Sequence, residues 1–260
     1  MNPEAKQRVA TETEALLRHY LSALNGIGVL NYGDMEESGE LWFLRAYFSH
    51  LQQPILFDVG ANVGKYTTAA LQFCPTATAY CFEPHPVTFA KLQESCTQPN
   101  ARLHNFGLGD SSHDATIYDH DWLDSSGHAS LYRDVIEKLH RRGSRSFPVK
   151  IRKFDEVVAE LGVRQIDLLK VDTEGHDLFV FRGAAETLQR GIIRAIQWEF
   201  NEMNVVSRTF FKDFWELLKD YRFFRLLRRG KLLPITEYTP RFCEIFAYQN
   251  IVCLHKDLKI

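Results

Sequence analysis

The sequence predicts an α/β fold built on a mostly parallel sheet, and three observations carry the prediction. Short apolar runs such as Ile55-Leu-Phe-Asp-Val59 and Ile166-Asp-Leu-Leu-Lys-Val171 have the length and composition of buried strands. Stretches with helical spacing of apolar residues alternate with them, joined by short glycine or proline connections. The 260 residues are 45% hydrophobic and 25% charged, which suits one large globular domain and excludes disordered or collagen-like sequence.

Taken in order, Val9, Leu16, Leu17, Tyr20, Leu21 and Leu24 recur at helical spacing, and Gly26 and Gly28 stop that helix. Residues 41–51 form a second helix before Pro54. The first strand, Ile55–Val59, is followed by a helix over 63–73 that Pro75 breaks. Thr78–Phe82 is the second strand, and 86–96 a helix with Pro86 in its first turn. Residues 101–106 make a third strand, ending at Gly107 and Gly109.

Residues 111–150 then interrupt the rhythm with polar, turn-rich sequence such as Asp124-Ser-Ser-Gly127 and Arg141-Arg-Gly-Ser-Arg145. Long insertions in compact domains carry function or mobility, so this one is read as a lid over the substrate with one or two small strands; a peripheral decoration is the plainer alternative. The alternation resumes with a helix over 155–161, the strand Ile166–Val171, a helix over 179–188, a strand over 192–200 and an aromatic helix over 210–218. Segments 221–227 and 243–254 close the chain as an antiparallel pair. The expected division is an N-terminal helical extension, 1–53, and one domain, 54–260, that carries the insertion.

Charge and cysteine content exclude several function classes. Lys and Arg number 31 against 33 Asp and Glu, so no basic surplus points to nucleic acid. The run Arg222, Arg225, Arg228, Arg229, Lys231 is read as a solvated face. Five cysteines without a CxxC pair suit a reducing compartment better than a disulfide framework. The charged opening residues are no secretory signal, and no run of about 18 apolar residues offers a membrane span. The expectation is a cytoplasmic protein with no membrane or nucleic-acid partner; a homo-oligomer stays open.

The chemistry starts at Asp58-Val-Gly60-Ala-Asn62-Val-Gly64, between the first strand and its helix. Glycines there allow a tight turn and close approach to a ligand. The loop is one residue shorter than a dinucleotide fingerprint, and Asp58 precedes it, which suits a cationic ligand better than a pyrophosphate. Glu83, in Cys81-Phe-Glu83-Pro84, ends the next strand at about the offset where an acid takes ribose hydroxyls. Together these describe a site for a phosphate-free adenosine compound, and S-adenosylmethionine has the required ribose, ammonium and sulfonium.

Phe57-Asp-Val-Gly-Ala-Asn-Val-Gly64, Phe82-Glu-Pro84, Asn105-Phe-Gly-Leu-Gly109, Ile166-Asp-Leu-Leu-Lys-Val-Asp-Thr-Glu-Gly175 and Ile196-Gln-Trp-Glu-Phe200 resemble, in the same order, the FkbM family of S-adenosylmethionine-dependent methyltransferases. The resemblance covers about residues 54–200. It implies a class I methyltransferase (Rossmann-like) fold: a seven-stranded sheet, mostly parallel, with its last strand antiparallel. It also implies O-methylation of a hydroxyl on a sugar or secondary metabolite, so the partner is a small hydroxylated acceptor such as a glycoside. By resemblance Asp58, Gly60, Asn62 and Gly64 face the methionine part, Glu83 and Pro84 the ribose, and Gly107 and Leu108 the adenine. Where relatives often read Glu-Gly-Ala-Glu, this chain has Glu174-Gly-His176-Asp177. Residues 1–50 and 111–147 match weakly, and substrate identity is expected there.

A hydroxyl is a poor nucleophile until a base or a metal takes its proton. The candidates are Lys170, Asp172, Glu174 and His176 at one strand end and Glu199 with Asn201 at the next. Lys170 in an apolar strand needs a partner, for which Asp172 or Glu199 is suited. Asp172, Glu174 and His176 are the alternatives for the base; the carboxylates are expected to matter more, with His176 placing or hydrogen-bonding the acceptor, and Glu174→Gln to cost more turnover than His176→Ala. Mg²⁺ on Asp172, Glu199 and Asn201 is the secondary reading, hard oxygen ligands being apt for it. His85 is read as a helix cap, and His128 as a loop residue or a substrate contact. Competing classes are a nicotinamide-dependent oxidoreductase, weakened by the short glycine loop, and a non-catalytic nucleoside-binding domain, which the intact acids argue against.

Overall fold

The computed structural model describes residues 3–122 and 127–258. Two helices come first, α1 (Pro3–Gly26) and α2 (Glu40–Phe48). Then β1 (Ile55–Val59), α3 (Lys65–Phe73), β2 (Thr78–Phe82), α4 (Pro86–Ser95) and β3 (Ala101–His104) alternate. β4 (Gly107–Gly109) comes next, and the inserted region carries β5 (His113–His120) and β6 (Ser144–Lys153). It is followed by α5 (Phe154–Leu161), β7 (Ile166–Val171), α6 (Asp177–Gly183), α7 (Ala185–Gln189) and β8 (Ile193–Phe200). The chain ends with α8 (Met203–Ser207), α9 (Phe211–Leu217), β9 (Tyr221–Leu226), β10 (Leu232–Ile235), α10 (Pro240–Cys243) and β11 (Gln249–His255).

The main sheet runs β3-β2-β1-β7-β8-β11-β9-β10. β3, β2, β1, β7 and β8 pair in parallel, and β11 lies antiparallel between β8 and β9. The expected antiparallel last strand is therefore present, but the sheet has eight strands rather than seven. The eighth, β10, is an edge strand antiparallel to β9 and carries Pro234, a residue that sheets tolerate at an edge. Strand order reverses direction between β1 and β7, which opens a crevice at the carboxyl ends of these two strands.

Side chains alternate across the sheet with period two and build two cores. Phe57, Leu169, Ile196 and Trp198 face one layer, with Phe154, Phe181 and Phe214. Leu56, Leu168 and Ala195 face the other, with Phe43, Leu44 and Phe48 of α2 and Ala70 and Leu71 of α3. The second predicted helix is thus part of the core. By contrast, Leu16, Leu17 and Tyr20 of α1 are exposed, and the side chain of Val9 lies outside the described residues.

Several boundaries differ from the sequence reading. The third strand stops at His104, because the chain leaves the main sheet for β4. The helix expected over 179–188 divides between Gly183 and Ala185. The last strand begins only at Gln249, after a helical turn opened by Pro240. The insertion holds two strands, in line with the one or two expected: β5 and β6 pair antiparallel over eight residues, and with β4, which precedes the insertion, they form a second sheet. Residues 123–126 of that region lie outside the described residues. Arg225, read as solvated, is fully buried, with its guanidinium over the Phe242 ring and donating to Gln249 Oε1.

Candidate active site

The loop after β1 turns through left-handed backbone at Gly60, Asn62 and Gly64. A Cβ at Gly60 would collide with the carbonyl oxygen of Asp172, so glycine lets the ends of β1 and β7 approach. The Asn62 amide donates to Glu83 Oε2 at 2.9 Å, and the His85 amide donates to Glu83 Oε1 at 2.8 Å. Glu83 is thereby fixed at the end of β2, and burial pushes its carboxyl up to about 7. His85 caps α4 as expected, Nδ1 accepting from the Thr88 amide.

Between the main sheet and the second sheet lies a cleft. Pro84, Leu108, Ile117, Leu131 and Ile151 give it apolar walls, and Gly60, Asn62, Glu83 and Gly107 its strand-end side. The cleft thus sets apolar walls beside the fixed Glu83 carboxylate. Gly64 does not line it: it precedes α3 and packs against Leu92 and Cys96.

A second cavity meets the first at Gly60, Asn62 and Asp172. Its floor follows from the two-residue period. Leu56, Leu168 and Ala195 face α2 and α3, so Asp58, Lys170 and Gln197 point the same way, and pairing sets them in one row across β1, β7 and β8. Two residues further on, Asp172 and Glu199 share this side. Lys170 Nζ lies 3.4 Å from Asp172 Oδ2, 3.7 Å from Glu199 Oε1 and 3.7 Å from Glu40 Oε1. Burial works to lower the Lys170 pKa, but Asp172, Glu199 and Glu40 overcome it and the net shift is upward, so the ammonium stays protonated. Burial and the neighbouring Asp172 push Glu199 well above the usual carboxylate range. Asp58 is raised to about 6 by burial while accepting from Thr67 Oγ1 at 2.6 Å. Carboxylates outnumber cations on this floor, so it suits a ligand that brings positive charge.

The structure separates the strand-end candidates. Lys170, Asp172 and Glu199 meet on this floor, whereas Glu174 and His176 line the first cleft. Left-handed backbone at Glu174 turns the chain after β7, and its Oε1 lies 3.2 Å from Nδ1 of His128 in the inserted region. Burial raises Glu174 to about 7. Hydrogen bonding to Glu174 raises His128. His176 stacks on Phe179 at 4.9 Å, and burial lowers it to about 4, so it is neutral at physiological pH.

The oxygen set named for Mg²⁺ does not fit a metal. The Lys170 ammonium already bridges Asp172 and Glu199. Asn201 Oδ1 instead accepts the Met203 amide at 3.0 Å, at the start of α8. Among the described residues no group of three or more His, Cys, Asp or Glu is arranged to hold a metal ion.

Glu40, Tyr66, Gln197 and His128 are site residues that motif reading passed over or left as a loop contact. Gln197 alone gave a signal: a glutamine inside Ile196-Gln-Trp-Glu-Phe200 requires a buried partner. It has three, accepting from Tyr66 Oη at 2.6 Å and donating to Glu40 Oε1 at 2.7 Å and Asn250 Oδ1 at 2.9 Å.

Comparison with known proteins identifies the family. The sequence model of the methyltransferase FkbM domain matches residues 58–224. The 2-O-methyltransferase NoeI of Sinorhizobium fredii is 29% identical over 161 residues, covering 58% of this chain and 65% of NoeI. The hexuronic acid methyltransferase AglP of Haloferax volcanii is 30% identical over 141 residues, 53% of each chain. The 31-O-demethyl-FK506 methyltransferase FkbM of Streptomyces tacrolimicus is 25% identical over 174 residues, 56% of this chain and 67% of that one. The chain thus spans between about half and two thirds of these relatives' length. Among solved structures, a TehB-like methyltransferase of Corynebacterium glutamicum aligns at a TM-score of 0.44 with 11% identity, over 96% of this chain and 100% of that one.

Proposed function

The chain belongs to the FkbM methyltransferase family, and from that premise we propose that it methylates a hydroxyl of a sugar or secondary metabolite with S-adenosylmethionine, in the cytoplasm. The observation that carries the proposal is the meeting of two unlike cavities at Asp172: an apolar slot with a ribose-type acid, and a floor on which carboxylates exceed cations. NoeI, AglP and FkbM, all methyltransferases, support the reaction class.

In this reading Glu83 accepts the ribose hydroxyls, Leu108 and Ile151 hold the adenine, and Asp58 with the strand-end carboxylates attracts the cationic end. S-adenosylmethionine supplies an electrophilic methyl: the acceptor oxygen forms the new C–O bond, the S–C electron pair stays on sulfur, and the acceptor proton leaves to a base. Glu199 is the assigned base, because its raised affinity for protons brings it closer to the acceptor's. Lys170 orients Glu199 and Asp172. The acceptor reaches them through a groove that adjoins the floor cavity at Met35, Glu40 and Lys65 and is edged by Tyr32 and Tyr248, aromatic surfaces suited to a sugar ring. Glu174 and His128 join the second sheet to the end of β7, which keeps water from the slot.

Calorimetry with S-adenosylmethionine against a nicotinamide dinucleotide, then turnover on a panel of glycosides and polyols with and without a chelator, tests this. Only the former ligand should bind, and chelation should leave turnover unchanged. Glu83→Ala should weaken binding about tenfold or more, the effect of losing charge-assisted hydrogen bonds. Binding of the dinucleotide alone would overturn the proposal.

A further inference from the structure

Glu40 stands outside the stretch 58–224 that matches the family, yet its carboxylate lies on the floor of the cavity. Its placement is tightly determined. The backbone turns left-handed at Gly39, where a Cβ would strike the carbonyl of Leu227, so residues 38–40 are seated against the turn after β9. Ser38 Oγ then donates to Glu40 Oε2 at 2.8 Å, and Gln197 Nε2 to Oε1. Gln197 is itself held by Tyr66 of α3 and Asn250 of β11. Three elements therefore fix Glu40 at 3.7 Å from the Lys170 ammonium, with no other cation within 4 Å of it among the described residues.

The geometry points to Glu40 as a positioning residue for methyl transfer: by sharing the Lys170 ammonium, it leaves Asp172 and Glu199 under-neutralised and so able to favour a sulfonium and to receive the acceptor's proton. With two carboxylates alone, the ammonium would satisfy most of their charge. With three, a second cation is needed, and the methyl donor brings one. This deepens the function proposed above and rests on it.

The test compares two ligands that differ at the sulfur, cationic S-adenosylmethionine and its demethylated product S-adenosylhomocysteine. Calorimetry on Glu40→Gln should show the preference for the cationic ligand falling by about fivefold or more, as expected for the loss of one unit charge about 8 Å from the sulfonium at an effective dielectric near 40. Affinity for S-adenosylhomocysteine should hold. In steady state kcat should fall while the acceptor KM changes little. Glu40→Asp keeps the charge and should restore the ratio, which a merely structural role would not do. Should Glu40→Gln not fold, Ser38→Ala, which frees Oε2, must move the ratio in the same direction. An unchanged ratio in a folded variant overturns the role of Glu40 and leaves the methyltransferase reading intact. A wild-type protein that binds neither ligand overturns both.

Discussion

Lys170 is a cation with 4% of its side chain exposed, among Glu40, Asp172 and Glu199. An ammonium in that position costs several kcal/mol of desolvation unless such partners surround it, so the strand can hold it only where carboxylates converge. Glu199, raised by burial and by Asp172, is the member best poised to take a proton. Glu199→Gln keeps the shape and removes the base, and turnover should fall about 10²–10⁴-fold with cofactor affinity changed far less. Glu174→Gln should cost less, since that carboxylate contacts His128 on the other cleft. Steady-state kinetics on both variants decides; a dead Glu174→Gln beside an active Glu199→Gln reverses the assignment. Lys170, Asp172 and Glu199 were legible in the sequence because strand alternation puts i and i+2 on one face. Glu40 was not, since its bond to Gln197 joins residues 157 apart and no local pattern records such a contact. The separation of Glu174 from Asp172 depends on a left-handed turn that a glutamate gives no sign of adopting.

At the scale of elements, the proposal that the second sheet covers the cleft rests on the segment between β5 and β6. Ser130 bridges Tyr118 of β5, and its hydroxyl donates to the carbonyl of Glu174 at 2.8 Å. Asn62 Nδ2 donates to the Gly127 carbonyl at 3.4 Å, so the glycine loop holds the same segment. Segments with few apolar anchors and exposed hydrogen bonds open at low free energy. Amides of 127–132 should therefore exchange fast in the free protein and slow down when S-adenosylhomocysteine binds, while those of β7 stay protected in both states. Ser130→Ala should quicken exchange over 127–132 alone. Equal rates with and without ligand would sink the role of a cover. The elements of the parallel sheet were readable because buried strands are short apolar runs; β1, β2 and β7 match their expected limits. The second sheet escaped because β4 is three residues with two glycines and β5 is polar over its exposed half, so neither shows an apolar period. β10 escaped because proline within a run argues against a strand until an edge is known to be there.

For the molecule as a whole, the site stores unfavourable charge that the fold tolerates and a ligand relieves. Glu83 and Glu174 are both held near 7 by burial, and Asp58 and Asp177 near 6. A carboxyl raised on folding means that the native state binds more protons than the unfolded chain between about pH 4 and its native value. Stability from such a group is present at low pH and is lost as pH rises through that native value. His140 and His176, lowered to about 4 by burial, act oppositely: their contribution is lost as pH falls below about 6.5. Below pH 6.5 the two sets oppose one another, and between 6.5 and 8 the raised carboxyls, Glu83 and Glu174 with Glu199, set the direction. His128, raised through Glu174, loses its contribution in the same direction as pH rises. The free protein should therefore melt about 2–8 °C lower at pH 8 than at pH 6.5, a response to a change of roughly 1–2 kcal/mol in a chain of this size. Adding S-adenosylmethionine should raise the melting temperature more at pH 8, where the carboxylates are ionised and a cation compensates them. At pH 7 its uptake should release protons, read as a binding heat that varies with the buffer's ionisation enthalpy, and S-adenosylhomocysteine should release fewer. A flat melting profile between pH 6.5 and 8, together with a buffer-independent heat, would show that these carboxyls are already ionised in the free protein at no cost to the fold, and would overturn the idea that ligand binding offsets an unfavourable ionisation.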